Sequence, residues 1–329
     1  MADSTYDVIG IGNAIVDIIG RCNDTFLAEH GATKGHMRLV DEETVASLYK
    51  AMGPAIEISG GSAANTMVGI ASLGGKAAFI GKIADDELGV IFGHDIRSAG
   101  VAFETTPANS KSTARSLILV TPDGERTMNT FLGVAPELDQ REIDADLIAA
   151  SQIVYLEGYL FDRAEAKAAF RQAVKIAKGA GRKVALTLSD AFCVDRHRAE
   201  FLDLIRGGVD ILFANESEIT SLYRVGAFDD AARHARNACE LAVLTRSAKG
   251  SLILSGEKAI TVAPESVARV VDTTGAGDLY AAGFLYGLTA GKPLETCGRL
   301  GSLAAAEIIS HVGARPETPL VKLAGSKGL

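Results

Sequence analysis

Short, uniformly apolar runs in the second half of the chain alternate with segments of helical periodicity. The apolar runs lie at 153–156, 184–188, 211–214 and 241–245. The predicted helices lie at 143–149, 164–179, 198–206, 216–223 and 229–239. Strands that are apolar on both faces are typical of a parallel sheet covered by helices. The pattern therefore predicts an α/β protein with a doubly wound, mostly parallel sheet flanked by helices.

The first half of the chain is more varied. Residues 7–12 form a predicted buried strand that ends in glycine, and 21–58 look irregular apart from a helix at 41–51. Residues 113–120 and 125–132 alternate in polarity around Pro122-Asp123-Gly124, which predicts a hairpin. Polar residues on both of its strands suggest that it covers a wet cleft. Arg126 is its predicted ligand contact, and a solvent-facing arginine is the alternative.

Two polar residues follow the first strand. If 13–19 is extended, Asn13 and Asp17 share one face, where they could bind paired hydroxyls. Turn chemistry for Asn13 and a solvent-facing Asp17 is the alternative. Further along, Gly60-Gly61 opens a predicted helix with Asn65 one turn in, and allows a ligand to approach the backbone. A tight packing turn would use the same glycines.

The segment 272–278, sequence DTTGAGD, carries the most informative chemistry. It joins a β-branched run at 268–271 to a small-residue segment at 279–288, which predicts a strand, a glycine turn and a helix. Gly275 and Gly277 expose backbone N–H groups at a helix N-terminus, a site that suits phosphate. Asp278 would repel a resting anion there, but it could accept a proton from a group attacking that phosphate. Stabilisation of the helix dipole is the alternative role for Asp278.

Polar residues also follow other predicted strands, where α/β proteins bind ligands. They include Glu157 and Ser189. Asn215 and Glu218 fit a helix capping box, although Glu218 could instead hold Mg²⁺ through water. The loop 245–250 could bind a polyphosphate or could be a plain hairpin turn.

Composition and the absence of some motifs argue against several classes of function. The 329 residues are 47% hydrophobic, enough for a sizeable core, and the net charge of −8 argues against a nucleic-acid partner. Four well-separated cysteines indicate reduced thiols. The N-terminal segment 1–7 has no signal-peptide pattern, and the apolar stretch 279–291 is shorter than the roughly 20 residues of a membrane span. A cytoplasmic protein without membrane contact is expected. Ile15 replaces the third glycine of a dinucleotide fingerprint, which argues against a nicotinamide dehydrogenase.

These motifs together resemble the ribokinase-like (PfkB) family of carbohydrate and nucleoside kinases. The Gly60-Gly61 segment and 272–278 resemble its two signatures, and Asn215-x-x-Glu218 resembles a third motif. The order and spacing match over essentially the whole chain. Within the family, 12–18, 188–192 and 124–127 look most like adenosine kinases.

The resemblance implies one ribokinase-like domain, 1–329, with a small β-sheet lid formed by insertions at about 18–58 and 111–132. It implies transfer of the γ-phosphate of ATP to a primary hydroxyl, with adenosine as the first candidate acceptor. A free sugar (ribose, fructose or a keto-sugar acid) is the alternative. A non-catalytic binding protein of this fold would be expected to lack Asp278 or Glu218, and both are present. A monomer or homodimer is expected.

The resemblance also implies a role for each site residue. It makes Asp278 the base, and the amides of Gly275, Ala276 and Gly277 the anion hole, with Arg126 brought onto the phosphates. The ribose hydroxyls would contact Asn13, Asp17, Gly60, Gly61 and Asn65. Mg²⁺ and its phosphate would contact Asn215 and Glu218, and the nucleotide phosphates would contact Thr245, Ser247 and Gly250. A monovalent cation such as K⁺ would lie near Asp272, Thr274 and 310–313. His311 would lie near the adenine of ATP or be an ordinary surface histidine. Tyr159 and Phe161 are candidates for an aromatic clamp on the acceptor, with core packing as the alternative.

Overall fold

The computed structural model describes residues 4–329, and its strands form two sheets. The strands are β1 (Tyr6–Ile11), β2 (Ile15–Arg21), β3 (Met37–Leu39), β4 (Ala55–Gly60), β5 (Ala77–Ile80), β6 (Val101–Phe103), β7 (Ala114–Val120), β8 (Arg126–Phe131), β9 (Ser151–Glu157), β10 (Lys183–Thr187), β11 (Ile211–Asn215), β12 (Leu241–Thr245), β13 (Ser251–Ser255) and β14 (Lys258–Val262). The N-terminal expectation of no signal peptide rests partly on residues 1–3, which lie outside the described residues.

Helices lie between most of these strands and after the last one. They are α1 (Asp24–Glu29), α2 (Glu42–Ala51), α3 (Ser62–Ser72), α4 (Glu87–Ser98), α5 (Ala145–Ala149), α6 (Ala164–Gly179), α7 (Ala191–Gly208), α8 (Glu216–Tyr223), α9 (Phe228–Ala238), α10 (Ala276–Thr289), α11 (Leu294–Ile308) and α12 (Leu320–Ser326). None of the helices within 4–329 is both long enough and apolar enough to cross a bilayer.

The larger sheet has nine strands in the order β14-β13-β12-β11-β10-β9-β1-β5-β6. Strands β12 to β6 in this order run parallel, and β13 and β14 are antiparallel at one edge. One face of the sheet packs against α3, α4, α10 and α11, and the other against α5 to α9. This confirms the predicted doubly wound, mostly parallel sheet flanked by helices.

The smaller sheet has five strands in the order β3-β8-β7-β2-β4. Its β7–β8 pair is the predicted hairpin, with Val120 opposite Arg126. Strand β4 leads through Gly60 and Gly61 directly into α3, which packs on the larger sheet. This turn therefore connects the smaller sheet to the larger one. The strands of the smaller sheet lie within 15–60 and 114–131, close to the expected insertions.

Two local predictions were wrong. Residues 268–271 do not form a strand: they pair with no strand among the described residues, and Val270 is 53% exposed and Val271 37% exposed. The segment 21–58 is also more regular than expected, since it contains α1, β3 and β4. Strand β3 and the first residues of β4 are largely exposed at the edges of the smaller sheet, and neither strand shows the alternation of burial that reveals a strand.

Candidate active site

Asp278 lies in the first turn of α10, next to the first turn of α3. The Ser62 hydroxyl donates to Asp278 Oδ1 at 2.6 Å, and Asn65 Nδ2 donates to Asp278 Oδ2 at 3.0 Å. The two helices can pack closely because Gly69 has no side chain; a Cβ there would collide with Ala282 and Leu279. The structure thus brings the Gly60–Asn65 segment and the DTTGAGD segment into direct contact, and the region around this contact is called the cleft below.

The environment of Asp278 raises the pKa of its carboxyl above the ordinary value. Burial is the largest cause, since it disfavours the charged form. The hydrogen bonds from Ser62 and Asn65 and the positive charge of Arg315 lower the pKa and offset part of this effect. The carboxylate is therefore held in place by two donors and is more basic than an exposed aspartate, which suits a proton acceptor.

Asn13 is held by a buried carboxylate. Glu157, 1% exposed at the end of β9, accepts hydrogen bonds from Asn13 Nδ2 at 2.7 Å and from the Ala63 amide at 2.8 Å. Burial raises the pKa of Glu157 to about 7, although these hydrogen bonds lower it. Gly12 leaves room for this carboxylate, because a Cβ there would overlap Glu157 Oε2. Glu157 therefore connects β1, β9 and the start of α3.

The Asp17 side chain of β2 extends over Gly60 of β4, although Gly60 is paired with Ile15 in the strand register. A Cβ on Gly60 would overlap the Asp17 carboxylate, so the glycine leaves space for it. Burial raises the pKa of Asp17 to about 6; Arg126 and Arg315 lower it, and Asp278 raises it. Asp17 and Asp278 therefore lie close enough for the charge of one to raise the pKa of the other, and their shared role in binding stays a prediction.

Two buried acceptor atoms in this cleft lack a partner within residues 4–329. They are Asn13 Oδ1 and Asn65 Oδ1. Carboxylates only accept hydrogen bonds, so the amide nitrogen of each asparagine must face Glu157 or Asp278. Each amide oxygen is therefore free to accept a hydrogen bond from a hydroxyl of a ligand. An unpaired buried acceptor costs about 1–3 kcal/mol, so such a ligand would recover this energy.

Arg126 reaches from the hairpin into the same region. Its Nη1 contacts Asp272 Oδ2 in an ion pair, and its side chain is 9% exposed. Nε and Nη2 of Arg126 are buried and have no acceptor among the described residues. Asp272 also accepts hydrogen bonds from the amides of Thr274 at 3.0 Å and Gly313 at 2.9 Å. The predicted ligand contact Arg126 thus has two donors that an anion could satisfy.

The glycine turn before α10 presents fewer free amides than expected. Gly275 adopts a φ of 78°, a conformation that favours glycine. The Ala276 amide donates to Thr273 O at 3.2 Å, so it closes the turn. The amides of Gly275 and Gly277 have no acceptor within the part of the chain that the structure describes. An added Cβ on Gly277 would meet open space, which leaves room for an anion in front of the helix.

Asn215 and Glu218 form the capping box at the start of α8. The Glu218 amide donates to Asn215 Oδ1 at 2.9 Å, and the Asn215 amide donates to Glu218 Oε2 at 2.9 Å. Burial raises the pKa of Glu218 to about 7; Asn215 lowers it, and Asp190 and Asp278 raise it. The charges of Glu218 and Asp278 are therefore close enough to affect each other.

The other predicted nucleotide contacts adjoin residues already described. Thr245 lies opposite Asn215 in the register of β11 and β12. His311 is two residues before Gly313, whose amide donates to Asp272. Thr245, Ser247 and Gly250 belong to the connection between antiparallel β12 and β13, the hairpin alternative. His311 Nε2 lies 3.2 Å from Glu307 Oε2. Neither group has a hydrogen bond to Asp278 in the described residues, and their roles stay predictions.

The aromatic candidates differ in their surroundings. Phe161 is a core residue: it is 2% exposed and stacks on Phe201 with ring centroids 4.2 Å apart. Tyr159 donates from its hydroxyl to Ser189 O at 3.2 Å and lies near the charges of Asp278 and Glu218. Tyr159 is therefore the one of the two that lies near charged residues of the candidate site.

Three residues of the site had no assigned role in the sequence interpretation. Glu157 stood out only as a polar residue after a strand, Ser62 lay inside the Gly-Gly motif, and Arg315 carried no motif signal. Their partners are 94 to 256 residues away in sequence. Periodicity and spacing report local neighbours, so they cannot reveal such contacts.

The donor set suits Mg²⁺ that arrives with a nucleotide. No group of three His, Cys, Asp or Glu side chains within residues 4–329 could hold a metal ion by itself. Mg²⁺ keeps several waters and binds one or two carboxylates together with substrate phosphates. Glu218 beside the cleft can supply one such carboxylate, so the residues present fit this kind of ion.

Comparison with known proteins identifies the family. The family model described as pfkB family carbohydrate kinase matches residues 56–320. An uncharacterized sugar kinase from Archaeoglobus fulgidus is 30% identical over 77% of this chain and 98% of its own length. A 5-dehydro-2-deoxygluconokinase from Bacillus licheniformis is 28% identical over 97% of this chain and 94% of its own.

Solved structures include two similar proteins of different description. A probable sugar kinase from Rhizobium etli is 51% identical, with a TM-score of 0.93 over 99% of both chains. The adenosine kinase from Sinorhizobium meliloti is 52% identical, with a TM-score of 0.92 over 98% of this chain and 100% of that chain. The chain therefore belongs to the pfkB family of carbohydrate kinases, and it is a kinase of a sugar or a nucleoside.

Proposed function

We propose that this kinase transfers the γ-phosphate of ATP to the primary hydroxyl of a ribonucleoside, with adenosine giving AMP as the main reaction. The 52% identity to the adenosine kinase from Sinorhizobium meliloti supports the acceptor. The general reaction is supported by the family and by the cleft around Asp278.

The unpaired oxygens Asn13 Oδ1 and Asn65 Oδ1 carry the proposal for a polyhydroxylated acceptor. A ribose ring can donate its hydroxyls to these oxygens and to the Asp17 carboxylate. Gly61, with a φ of 95°, lets the backbone turn here without a side chain blocking the ring. Asn65 donates to Asp278, so a hydroxyl bound by Asn65 Oδ1 would lie near the carboxylate.

In the proposed reaction, the acceptor oxygen forms a bond to the γ-phosphorus as the bond between that phosphorus and the bridging oxygen of ADP breaks. The hydroxyl proton passes to Asp278 and is later released to solvent. Asp278 is held by Ser62 and Asn65, so it needs little reorganisation during the reaction. A raised pKa makes Asp278 a better proton acceptor than an exposed aspartate.

The remaining groups stabilise charge on the transferring phosphate. The free amides of Gly275 and Gly277 would donate to its oxygens at the N-terminus of α10, and Ala276 would join them if its turn opens. Nε and Nη2 of Arg126 would donate to the same phosphates. Arg126 is carried by the smaller sheet, which we propose acts as a lid on a single domain and excludes water during transfer.

Metal ions would assist at two positions. Glu218, with Asn215, would hold Mg²⁺ through water, and Mg²⁺ when bound neutralises charge on the nucleotide phosphates. A monovalent cation such as K⁺ would lie near Asp272, Thr274 and the 310–313 segment. In this structure Arg126 already contacts Asp272, so it would have to share that carboxylate with the cation or leave it.

A free sugar is the second candidate acceptor. The 28% identity to a 5-dehydro-2-deoxygluconokinase over 97% of this chain favours it, as does the 51% identity to a probable sugar kinase. Such a substrate would use the same hydroxyl contacts and the same Asp278.

An ATP-consumption assay with adenosine, ribose, fructose and 5-dehydro-2-deoxygluconate as separate acceptors distinguishes the two candidates. We expect kcat/KM for adenosine to exceed that for each sugar at least ~100-fold. A free sugar lacks the adenine ring and therefore loses the contacts that the ring would make with the protein. ³¹P NMR of the product should show the AMP phosphate. A higher kcat/KM for any of the sugars would replace adenosine by that sugar.

A further inference from the structure

Arg315 bridges the two sides of the Gly60–Gly61 turn. Its Nε donates to Ser59 O at 2.8 Å, its Nη2 donates to Ser59 Oγ at 2.9 Å, and its Nη1 donates to Ala64 O at 3.0 Å. Ser59 lies in β4 of the smaller sheet, and Ala64 lies in the first turn of α3. A single planar side chain therefore fixes both ends of the connection between the two sheets.

Ser59 is also held from a third direction. Its amide donates to Asp95 Oδ2 of α4 at 2.8 Å, and the residue is 2% exposed. The amide, the carbonyl and the hydroxyl of Ser59 are therefore all engaged, two of them by Arg315. An arginine can make this set of contacts because its three nitrogens project in a fixed plane.

The first turn of α3 also carries the donors to Asp278. Ala64 lies between Ser62 and Asn65, which donate to the two oxygens of that carboxylate. A displacement of Ala64 would therefore move both donors. Arg315 does not hydrogen-bond Asp278, so its effect on alignment would pass through α3 and through its charge.

Several charged groups surround Asp278 besides Arg315. Asp17 comes from β2, Glu157 from β9 and Glu218 from α8, and each has its pKa raised in part by the charge of Asp278. Tyr155 and Tyr159 are affected in the same direction. Arg315 opposes this accumulation: its charge lowers the pKa values of Asp17 and Asp278.

We propose that Arg315 is a positioning residue for phosphoryl transfer. Its guanidinium fixes the Gly60–Gly61 turn and the first turn of α3, and thereby aligns Ser62 and Asn65 on Asp278. This proposal rests on the proposed function of Asp278 as the proton acceptor. The proposal has a second consequence: the positive charge of Arg315 keeps the carboxylates of Asp17 and Asp278 ionised at lower pH.

Arg315→Gln, Arg315→Lys and Arg182→Gln test the proposal in an ATP-consumption assay with adenosine. Arg182 is the matched control, since its Nε donates to Ala149 O at 2.8 Å away from the cleft. We expect Arg315→Gln to lower kcat ~10–100-fold, as misalignment of about 1 Å would, with the Kd for ATP little changed. Arg315→Lys should stay impaired, because an ammonium group cannot bridge Ser59 and Ala64. Arg182→Gln should lower only the melting temperature.

The pKa of Asp278 gives a readout that needs no acceptor. Carboxyl ¹³C NMR can follow its titration, with the Asp278 signal assigned from its loss in Asp278→Asn. We expect a higher Asp278 pKa in Arg315→Gln, a pKa near wild type in Arg315→Lys, and no change in Arg182→Gln. A pKa shift in Arg315→Gln that is absent in Arg315→Lys reports the charge of Arg315, whereas a loss of kcat shared by both variants reports its positioning role. A purely structural role would lower the stability of both variants without lowering kcat.

The outcomes separate this proposal from the proposed function. If Asp278→Asn abolishes turnover while Arg315→Gln keeps the wild-type kcat and Asp278 pKa, the Arg315 proposal alone is wrong. If Asp278→Asn keeps the wild-type kcat, the proposed function fails, and alignment of Asp278 by Arg315 has no catalytic meaning.

Discussion

Gly61→Ala tests whether the junction between the two sheets positions the acceptor. Gly61 has a φ of 95°, and an added Cβ would lie 2.2 Å from the carbonyl oxygen of Asn13. Real Cβ atoms almost never approach another atom within 3.0 Å, so Asn13 or α3 must move. Asn13 cannot yield easily, because its amide and side-chain nitrogens both donate to buried Glu157.

The size of the effect follows from two contributions. The strained backbone costs ~1–3 kcal/mol, and the steric overlap in a packed region costs about 1–3 kcal/mol more. The total corresponds to a fall in melting temperature of roughly 2–4 °C for each kcal/mol. A shift of about 1 Å at Asn13 or Asn65 would also weaken acceptor binding and lower kcat by up to ~100-fold.

Gly74→Ala is the matched control at the other end of α3. Gly74 has a φ of 92°, but an added Cβ there has no neighbour within 4 Å. Gly74→Ala should therefore show the backbone strain alone, with normal KM for adenosine. Thermal unfolding and steady-state kinetics of both variants give the comparison. Equal losses of stability and an unchanged KM for adenosine in Gly61→Ala would refute this explanation of the junction.

Three further variants test individual groups. The folded state binds the Glu157 proton more tightly than the unfolded state, so the unfolding free energy of the wild type should fall by up to about 3 kcal/mol between pH 4.5 and about 7. Glu157→Gln should remove this fall. Urea titrations that show the same pH dependence of the unfolding free energy in both proteins would contradict this. Ser62→Ala should raise the Asp278 pKa and reduce kcat/KM more at pH 6 than at pH 8, since the base must be ionised; a pH-independent loss would argue otherwise. Arg126→Gln should lower kcat with adenosine affinity retained, and normal turnover would exclude its role on the phosphates.

Local chemistry made much of the fold predictable. Helix α8 begins and ends where the sequence indicated, because the Asn215–Glu218 capping box fixes its start. The hairpin at Pro122-Asp123-Gly124 was also found, since its turn residues and alternating strands act over a few neighbouring positions. The central strands were recognisable because burial on both faces makes them uniformly apolar.

The failures share a physical cause. Residues 268–271 have the composition of a strand, but a strand also needs a neighbour with free backbone groups, and the sequence does not supply that information. Strands β3 and β4 pair at the edges of the smaller sheet, and their burial does not alternate along the strand, so the sequence carries no period-two pattern there.

The sequence predicted the motif residues of the candidate site, but it did not reveal the residues that hold those motifs in place. Asp278 and Asn65 lie in motifs whose spacing is visible along the chain, and the structure brings them into contact. Glu157 and Arg315 act on residues 144 and 256 positions away, respectively. Such contacts depend on where the fold places β9, which carries Glu157, and the segment after α11, which carries Arg315. A single sequence gives no local signal for these positions.

The kcat of Asp278→Asn with ATP and adenosine tests the proposed chemistry most directly. The substitution keeps the size of the side chain and removes its ability to accept the hydroxyl proton. We expect kcat to fall at least ~10²–10⁴-fold, the usual contribution of a general base, while calorimetry shows near wild-type binding of adenosine and ATP. A kcat close to that of the wild type would contradict the assignment of Asp278 as the proton acceptor.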